Sequence, residues 1–387
     1  MTIVSRIYLP EPGAASFRLG ALARLLRNRG ANTTIITSRA PAGYDESATD
    51  HKGISIRRAR VLRDRMGYVR GYIQYLSFDI PAFFRVLLRR NLRVVVVEPP
   101  PTTGVAIRVA CALRRVPYLY YAADIWSDAV LSTGAPRVVA KVVRLLEMWA
   151  MSGAHTVISV SDQFSTRLVE LGVDSTIATV GNGVDTTLFS PHGEQRALPG
   201  PYLLYAGTAS EVHGATIFLE AFKQVIADVP QAQLVFVGQG AERESLQRMA
   251  TDLPRESVVF EGRLPSSEVA EWIRGAAATL ASVKPAGYHR AFPTKMYASA
   301  ACGTRVIFAG VGPGREFAAL PAMGWSVDYE VDRVAQAMLD ALRIPQEQEQ
   351  RIRTSKWAAD HVSLAAVATR ASSLIAEAAH SAKRKRD

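Results

Sequence analysis

Apolar positions along this chain alternate between two rhythms from end to end. Short runs that are apolar or β-branched at nearly every position predict strands covered on both faces, at residues 2–9, 33–37, 93–98, 118–122 and 156–160. Between them lie stretches of helical period, such as 17–29, which stops at Gly30, a residue suited to ending a helix. The second half repeats the theme with strands at 202–206, 233–238, 258–260, 278–282 and 305–309, and helices at 215–229, 241–250, 266–275 and 295–301. Everything from Gln346 onward reads as helix. This βα alternation predicts an α/β protein with two Rossmann-like domains, 1–190 and 191–387, whose last helices can pack back on the first domain. Sheets of this kind bind ligands beyond the carboxyl ends of their strands.

Length agrees, since 387 residues exceed one ordinary core. The two cysteines, Cys111 and Cys302, have no metal-ligand neighbours and read as small core residues of a protein in a reducing cytoplasm. The first residues hold too short an apolar run for a signal peptide, and no run approaches the ~18 residues of a membrane span. Net charge is +11 and uneven. Arg57, Arg58, Arg60, Arg63, Arg65 and Arg70 form one block, and Arg85, Arg89, Arg90 and Arg93 another. They flank the run 68–88, which contains Tyr72, Tyr75, Phe78, Phe83 and Phe84. Cations beside exposed rings suit the anionic inner face of a plasma membrane, with the protein held peripherally. The alternative packs these rings on the sheet and leaves the arginines in solvent. No nucleic-acid-binding motif accompanies the charge, so nucleic acid is not an expected partner.

Two motifs carry chemistry. In Arg290-Ala-Phe-Pro-Thr-Lys-Met-Tyr-Ala298, a Pro-Thr-Lys step opening a helix offers free N–H groups, a hydroxyl and a cation, which suits a phosphate. Val180-Gly-Asn-Gly-Val-Asp185 follows a β-rich run near mid-chain, where a two-domain enzyme places its hinge. Together they imply a nucleotide-diphosphate sugar held in a cleft between two α/β domains.

The ordered set Pro10-Glu-Pro-Gly-Ala14, Arg115-Val-Pro-Tyr118, Ala123-Asp-Ile-Trp126, Gly181-Asn-Gly-Val-Asp185, Tyr205-Ala-Gly-Thr208, Val237-Gly-Gln-Gly240, Phe260-Glu-Gly-Arg263 and Pro293-Thr-Lys295 resembles the family 4 (group 1) glycosyltransferases of the GT-B fold. Each piece is weak alone; together, in order, they span nearly the whole chain. Pro99-Pro-Pro-Thr-Thr-Gly104 and Asp124-Ile-Trp126 resemble the bacterial branch that builds O-antigen and exopolysaccharide, including N-acetylfucosamine transferases.

The resemblance implies two Rossmann-like domains facing a central cleft and retaining sugar transfer from a nucleotide-diphosphate sugar, with no other cofactor and no metal. The chain has no Asp-x-Asp step, so helix N-termini and cations would meet the leaving charge. The resemblance places Gly13 against the donor phosphates and Asp124 beside the acceptor hydroxyl, to orient or deprotonate it. A turn glycine and a helix cap are the structural readings of these two. Asn182 matches the hinge, Gly207 the first loop of the second domain, and Glu261, Gly262 and Arg263 the loop that reads the base.

Departures concern the diphosphate. Thr208 and His213 occupy the slots of the family's Arg and Lys, and the family's Glu-x7-Glu pair falls on Arg290 and Ala298. Phe292 keeps the aromatic between them. Lys284, Arg290 and Lys295, with Thr294, are therefore expected to supply the missing charge and hydrogen bonds, while the ribose contact falls to Tyr297 or Ser299. The acceptor is a lipid-linked glycan or a small soluble hydroxyl compound. Two other readings compete: a catalytically silent GT-B protein, favoured by the missing glutamates, and a sugar-nucleotide epimerase on the same fold.

Overall fold

The computed structural model describes residues 1–11, 13–47, 53–64, 69, 71–132, 136–285 and 291–384. The chain divides into two compact units, Met1–Gly183 with Leu364–Asp387, and Val184–Ser363.

Unit 1 contains β1 (Thr2–Val4), α1 (Ala14–Asn28), β2 (Thr33–Ser38), β3 (Ile54–Ala59), α2 (Tyr72–Leu87), β4 (Val95–Val97), α3 (Pro101–Arg114), β5 (Tyr118–Ala122), α4 (Trp126–Ser132), α5 (Arg137–Ser152), β6 (Thr156–Ser159), α6 (Asp162–Glu170) and β7 (Ile177–Thr179). Its strands form one parallel sheet in the order β3-β2-β1-β4-β5-β6-β7. Val95, Val96 and Val97 are fully buried, as the unbroken β-branched run requires of a strand covered on both faces. The expected strand over 2–9 stops at Val4, because Ser5 Oγ turns to donate to Ile7 O at 2.8 Å and the chain leaves the sheet. β3 overlaps the start of the first arginine block, at Arg57 and Arg58, and was not expected as a strand. It is the edge of the sheet, where exposed Arg57 guards unpaired backbone.

Unit 2 contains β8 (Tyr202–Ala206), α7 (Thr216–Asp228), β9 (Gln233–Val237), α8 (Arg243–Met249), β10 (Val258–Glu261), α9 (Ser266–Gly275), β11 (Ala278–Val283), α10 (Lys295–Ala301), β12 (Val306–Gly310), α11 (Pro313–Ala318), β13 (Gly324–Val327), α12 (Val331–Arg343) and α13 (Gln348–Val362). Its parallel sheet has the order β10-β9-β8-β11-β12-β13. This is the 3-2-1-4-5-6 arrangement of a dinucleotide-type fold.

The expected junction near residue 190 lies inside unit 2, since the division falls at Gly183 and Val184. The last helix, α14 (Leu364–Arg384), belongs to unit 1. Its apolar face, including Val367, Ala371, Ile375 and Ala378, shares a core with Leu19, Leu22 and Leu26 of α1. Arg370 donates from Nε and Nη2 to Val180 O at 3.0 and 2.7 Å, pinning the end of β7. Both cysteines are buried, and burial pushes each thiol up to about 12, which makes them inert. Among the described residues no helix is long and apolar enough to cross a membrane.

Candidate functional site

Several of the expected donor residues of unit 2 gather at the carboxyl ends of β8, β9 and β11. Gly207 leaves β8 at φ +132°, and a Cβ on Gly238 would fall 2.2 Å from Gly207 O, so only glycine lets these two turns close on each other. Lys295 opens α10 and reaches toward Gly207, where a Cβ would stand 3.5 Å from Nζ. Its ammonium lies 3.3 Å from the centroid of the Tyr205 ring. Lys295 is half-buried as a residue, yet its Nζ is shielded from solvent and has no hydrogen-bond partner among the described residues. Loss of hydration pushes its pKa well below 10.5. The ring offsets part of that cost, about 2 kcal/mol for a desolvated cation–π contact. Because α10 is a helix of 7 residues, the cation is the stronger feature of the expected Pro-Thr-Lys site.

His213 Nδ1 lies 3.2 Å from Ser282 O, and a carbonyl only accepts, so Nδ1–H donates and Nε2 carries the lone pair. Burial first, and then Lys295, lower its pKa below 6.5 against the opposing pull of Ser282 O. Lys284 N donates to Val212 O at 3.0 Å, so Lys284 and His213 share one corner. Lys284 Nζ stands 3.5 Å from Glu242 Oε1, and Glu242 Oε2 accepts from Ala215 N at 3.2 Å. Glu242 had no sequence signal, because it sits in a charged stretch that reads as a solvated helix face. The structure therefore groups Gly207, His213, Lys284 and Lys295. Thr208 is exposed beside them, with its carbonyl accepting from Tyr205 Oη at 3.0 Å. Thr294 is exposed, and Arg290 lies outside the described residues.

The remaining expected residues sit elsewhere. Phe292 packs into an aromatic cluster, 4.6 Å from Tyr297 and 5.6 Å from Phe317 between ring centroids. Glu261, Gly262 and Arg263 end β10, held by Arg243 Nη1, which donates to Glu261 O at 2.6 Å and Gly238 O at 2.8 Å. Gly262 and Arg263 are exposed. Beside this loop, Tyr205, Phe236, Arg243 and Phe260 enclose only ≈ 10 Å³, room for about one water, so a base needs space this structure does not yet open. Ser299 is not available as a ribose ligand. It is buried, accepts from Thr279 Oγ1 at 2.7 Å and donates to Lys295 O at 3.2 Å.

In unit 1, Gly13 precedes α1 with extended backbone, and a Cβ there would meet only Ile7 Cγ2 at 4.0 Å. Local packing does not demand a glycine, so the space above the first turn of α1 is open. Asn182 has a structural partner: its Oδ1 accepts from Arg18 Nη1 at 2.5 Å. Arg18 Nη2 donates to Glu98 Oε1 at 2.5 Å, the Ser5 hydroxyl, shared between Ile7 O and Glu98, lies 3.1 Å from Glu98 Oε2, and the guanidinium covers the Tyr121 ring at 4.5 Å. This buried network ties the segment after β7 to α1 and β4. Asp124 follows β5, and its carboxyl is pushed above 3.8 by desolvation, with Arg18 opposing and Glu98 reinforcing. The side chain is crowded by protein but open to solvent on one side, which screens that push. Asp124 is not the cap of α4. Glu147 of α5 takes that place, accepting from Trp126 N at 2.7 Å and Ser127 N at 3.1 Å.

Comparison with known proteins matches residues 13–183 to the Glycosyl transferase 4-like domain and residues 200–343 to the Glycosyl transferases group 1 domain. The GDP-mannose-dependent monoacylated alpha-(1-6)-phosphatidylinositol monomannoside mannosyltransferase of Corynebacterium glutamicum is 26% identical over 281 residues, covering 65% of this chain and 73% of that protein. Among solved structures, sucrose-phosphate synthase from Thermosynechococcus elongatus aligns with a TM-score of 0.73 at 19% identity, over 97% of this chain and 98% of that one. HepE of Anabaena, in complex with UDP and glucose, aligns with a TM-score of 0.71 at 14% identity, over 97% of this chain and 100% of that one. With both domains matched in tandem on these two Rossmann-like sheets, the chain belongs to the family 4 (group 1) glycosyltransferases of the GT-B fold.

Proposed function

We propose that this glycosyltransferase moves a sugar, with retention and without a metal, from a nucleotide-diphosphate sugar to a hydroxyl of a lipid-linked glycan. One observation carries the donor assignment: the Lys295 ammonium is buried, unpaired, and held over Tyr205 against the glycine turn of β8. A desolvated cation without a counter-ion is costly, and a diphosphate placed there supplies one. As the donor bond breaks, charge develops on that diphosphate, where Lys295, Lys284 and a protonated His213 stabilise it without a metal ion. The relative from Corynebacterium uses GDP-mannose and HepE binds UDP, which supports a nucleotide-sugar donor here. Asp124, with its carboxyl pushed upward, is the residue we assign to orient or deprotonate the acceptor hydroxyl. Calorimetric titration with UDP and GDP tests the donor site, and absence of binding to both would remove it.

Helix surfaces of unit 1 support a lipid-linked acceptor met at a membrane. Of the rings expected on that surface, Phe78 is core and Tyr75 and Phe83 are half-buried, whereas Tyr72 and Phe84 are exposed. Tyr72, Ile73, Leu76, Ile80, Phe84 and Leu88 form an exposed stripe on and just past α2, at roughly one helical turn apart. α5 adds exposed Val138, Val142, Leu145 and Trp149. Exposed Arg90, Arg114, Arg137, Lys141 and Arg144 lie on or next to the same helices. Apolar side chains among cations favour an anionic bilayer, on the cytoplasmic side, as the occupant of these surfaces. Arg65, Tyr68 and Arg70 lie outside the described residues. The steps Pro99–Gly104 and Asp124–Trp126 support the branch that includes N-acetylfucosamine transferases.

A catalytically silent protein is the second reading, because Ala298 cannot accept a ribose hydroxyl and packs among apolar neighbours. Binding of nucleotide without donor turnover would select it.

A further inference from the structure

In the donor corner of unit 2, Lys284 already has a counter-ion. Its Nζ stands 3.5 Å from Glu242 Oε1, and the two side chains are 31% and 16% exposed, so the pair is open to solvent. Glu242 Oε2 accepts from Ala215 N at 3.2 Å, just before α7. Capping α7 occupies one carboxylate oxygen, and the other faces the cation.

Backbone contacts fix this carboxylate in place. Glu242 N donates to Ala209 O at 3.2 Å and Ala209 N donates to Gln239 O at 2.8 Å. A Cβ on Gly240 would fall 2.0 Å from Ala209 O, so the turn after β9 is locked onto the loop after β8. Across the corner, Tyr329 Oη donates to Gly214 O at 2.7 Å and Lys284 N to Val212 O at 3.0 Å. Burial first, and then Glu242, push the Tyr205 hydroxyl upward, so the carboxylate acts on the ring that Lys295 covers.

A fixed negative charge weakens anion binding, and more so for the more highly charged ligand. Sugar transfer changes that charge. The bond from the anomeric carbon to the diphosphate oxygen breaks and its electron pair stays on the diphosphate, while the acceptor oxygen bonds the anomeric carbon and its proton is released. A diester with two charges thereby becomes a nucleoside diphosphate with three, since a terminal phosphate loses its second proton near a pKa of about 6. On the donor site proposed above, we infer that the Glu242 carboxylate discriminates against the spent nucleoside diphosphate and favours its release over that of the intact donor. A phosphate held by Lys284 lies within about 8 Å of Glu242: the ion pair, one charge-assisted hydrogen bond and a P–O bond. At low ionic strength, even water's dielectric makes that about 2.4-fold in affinity per phosphate charge.

Calorimetric titration of the full chain at pH 8 and low salt tests this, with UDP, GDP and the methyl ester of each on its terminal phosphate. The esters carry two charges and no sugar, so they stand for the donor whatever its sugar is. Glu242→Gln keeps an oxygen for Ala215 N and removes the charge. It should tighten the methyl ester about sixfold and the nucleoside diphosphate about 14-fold. Glu242→Asp keeps the charge and should leave the ratio of the two affinities within about twofold of wild type. A glutamate that only caps α7 would, on replacement, weaken both ligands alike. Nucleoside diphosphate binding that is weaker or unchanged in Glu242→Gln, equal tightening of ester and diphosphate, or a shift in Glu242→Asp as large as in Glu242→Gln would each overturn the inference. Wild type that binds neither UDP nor GDP would remove the donor site itself, and the role of Glu242 with it.

Discussion

Replacing Lys295 by methionine should make the free protein more stable and the nucleotide complex weaker. Methionine keeps the unbranched stem and removes the charge. In the free protein Nζ is shielded, unpaired and pushed well below 10.5, so folding favours its neutral form. Between the folded pKa and 10.5 the unfolded chain binds more protons than the folded one, and stability therefore rises with pH across that window. Below the window the folded protein carries the whole cost of a charged, buried amine, lessened by about 2 kcal/mol through Tyr205. Removing that amine should gain about 1–2 kcal/mol, or a Tm rise of roughly 2–8 °C for a unit of this size. Nucleotide-diphosphate binding should weaken by about 1.5–3 kcal/mol, roughly 10- to 150-fold in Kd, the range for a hydrogen bond to a charged group. At a pH above the folded pKa, calorimetry in buffers of different ionisation heat should also show proton uptake in the wild type that Lys295→Met lacks, since a bound diphosphate favours the charged form of Nζ. A lower Tm together with unchanged nucleotide affinity would mean that the amine is structural and that the phosphate lies elsewhere.

Three further outcomes follow from the same geometry. His213 is held below 6.5 in the free protein, so diphosphate binding should raise its pKa and nucleotide affinity should strengthen as pH falls below about 6.5; His213→Asn should flatten that profile in titrations over pH 5–8. Glu98→Ala leaves Arg18 buried without its 2.5 Å partner and should cost about 3–5 kcal/mol in denaturant unfolding, and a loss below about 1 kcal/mol would mean that the network is not load-carrying. At low salt the protein should sediment with anionic but not neutral vesicles and release at high salt, and Ile73→Asp with Leu145→Asp should reduce recovery; equal recovery with both vesicle types would favour a soluble acceptor.

The sequence was most readable where a strand is covered on both faces. β5 and β8 coincide with their expected ranges because every position is apolar, whereas β1 is cut short by a serine whose hydroxyl prefers the local backbone. β3 runs into the start of the basic block at Arg57 and Arg58, and an edge strand with one wet face shows little apolar excess. Lys295 was legible from the Pro-Thr-Lys step, but its burial against Tyr205 was not, since that depends on β8 and α10 meeting in space. Asn182 was read as part of the hinge motif expected beside the donor, and its link to Arg18 and Glu98 joins residues far apart in the chain.

The central claim is turnover of a nucleotide-diphosphate sugar at the Lys295 site. Purified protein incubated in EDTA with a panel of UDP-, GDP- and dTDP-sugars should slowly release the free nucleoside diphosphate from at least one of them. Release should fall at least about tenfold in Lys295→Met, with the folded state of the variant checked by its Tm. Release that requires added magnesium or manganese, or that is equal in wild type and Lys295→Met, would contradict the account.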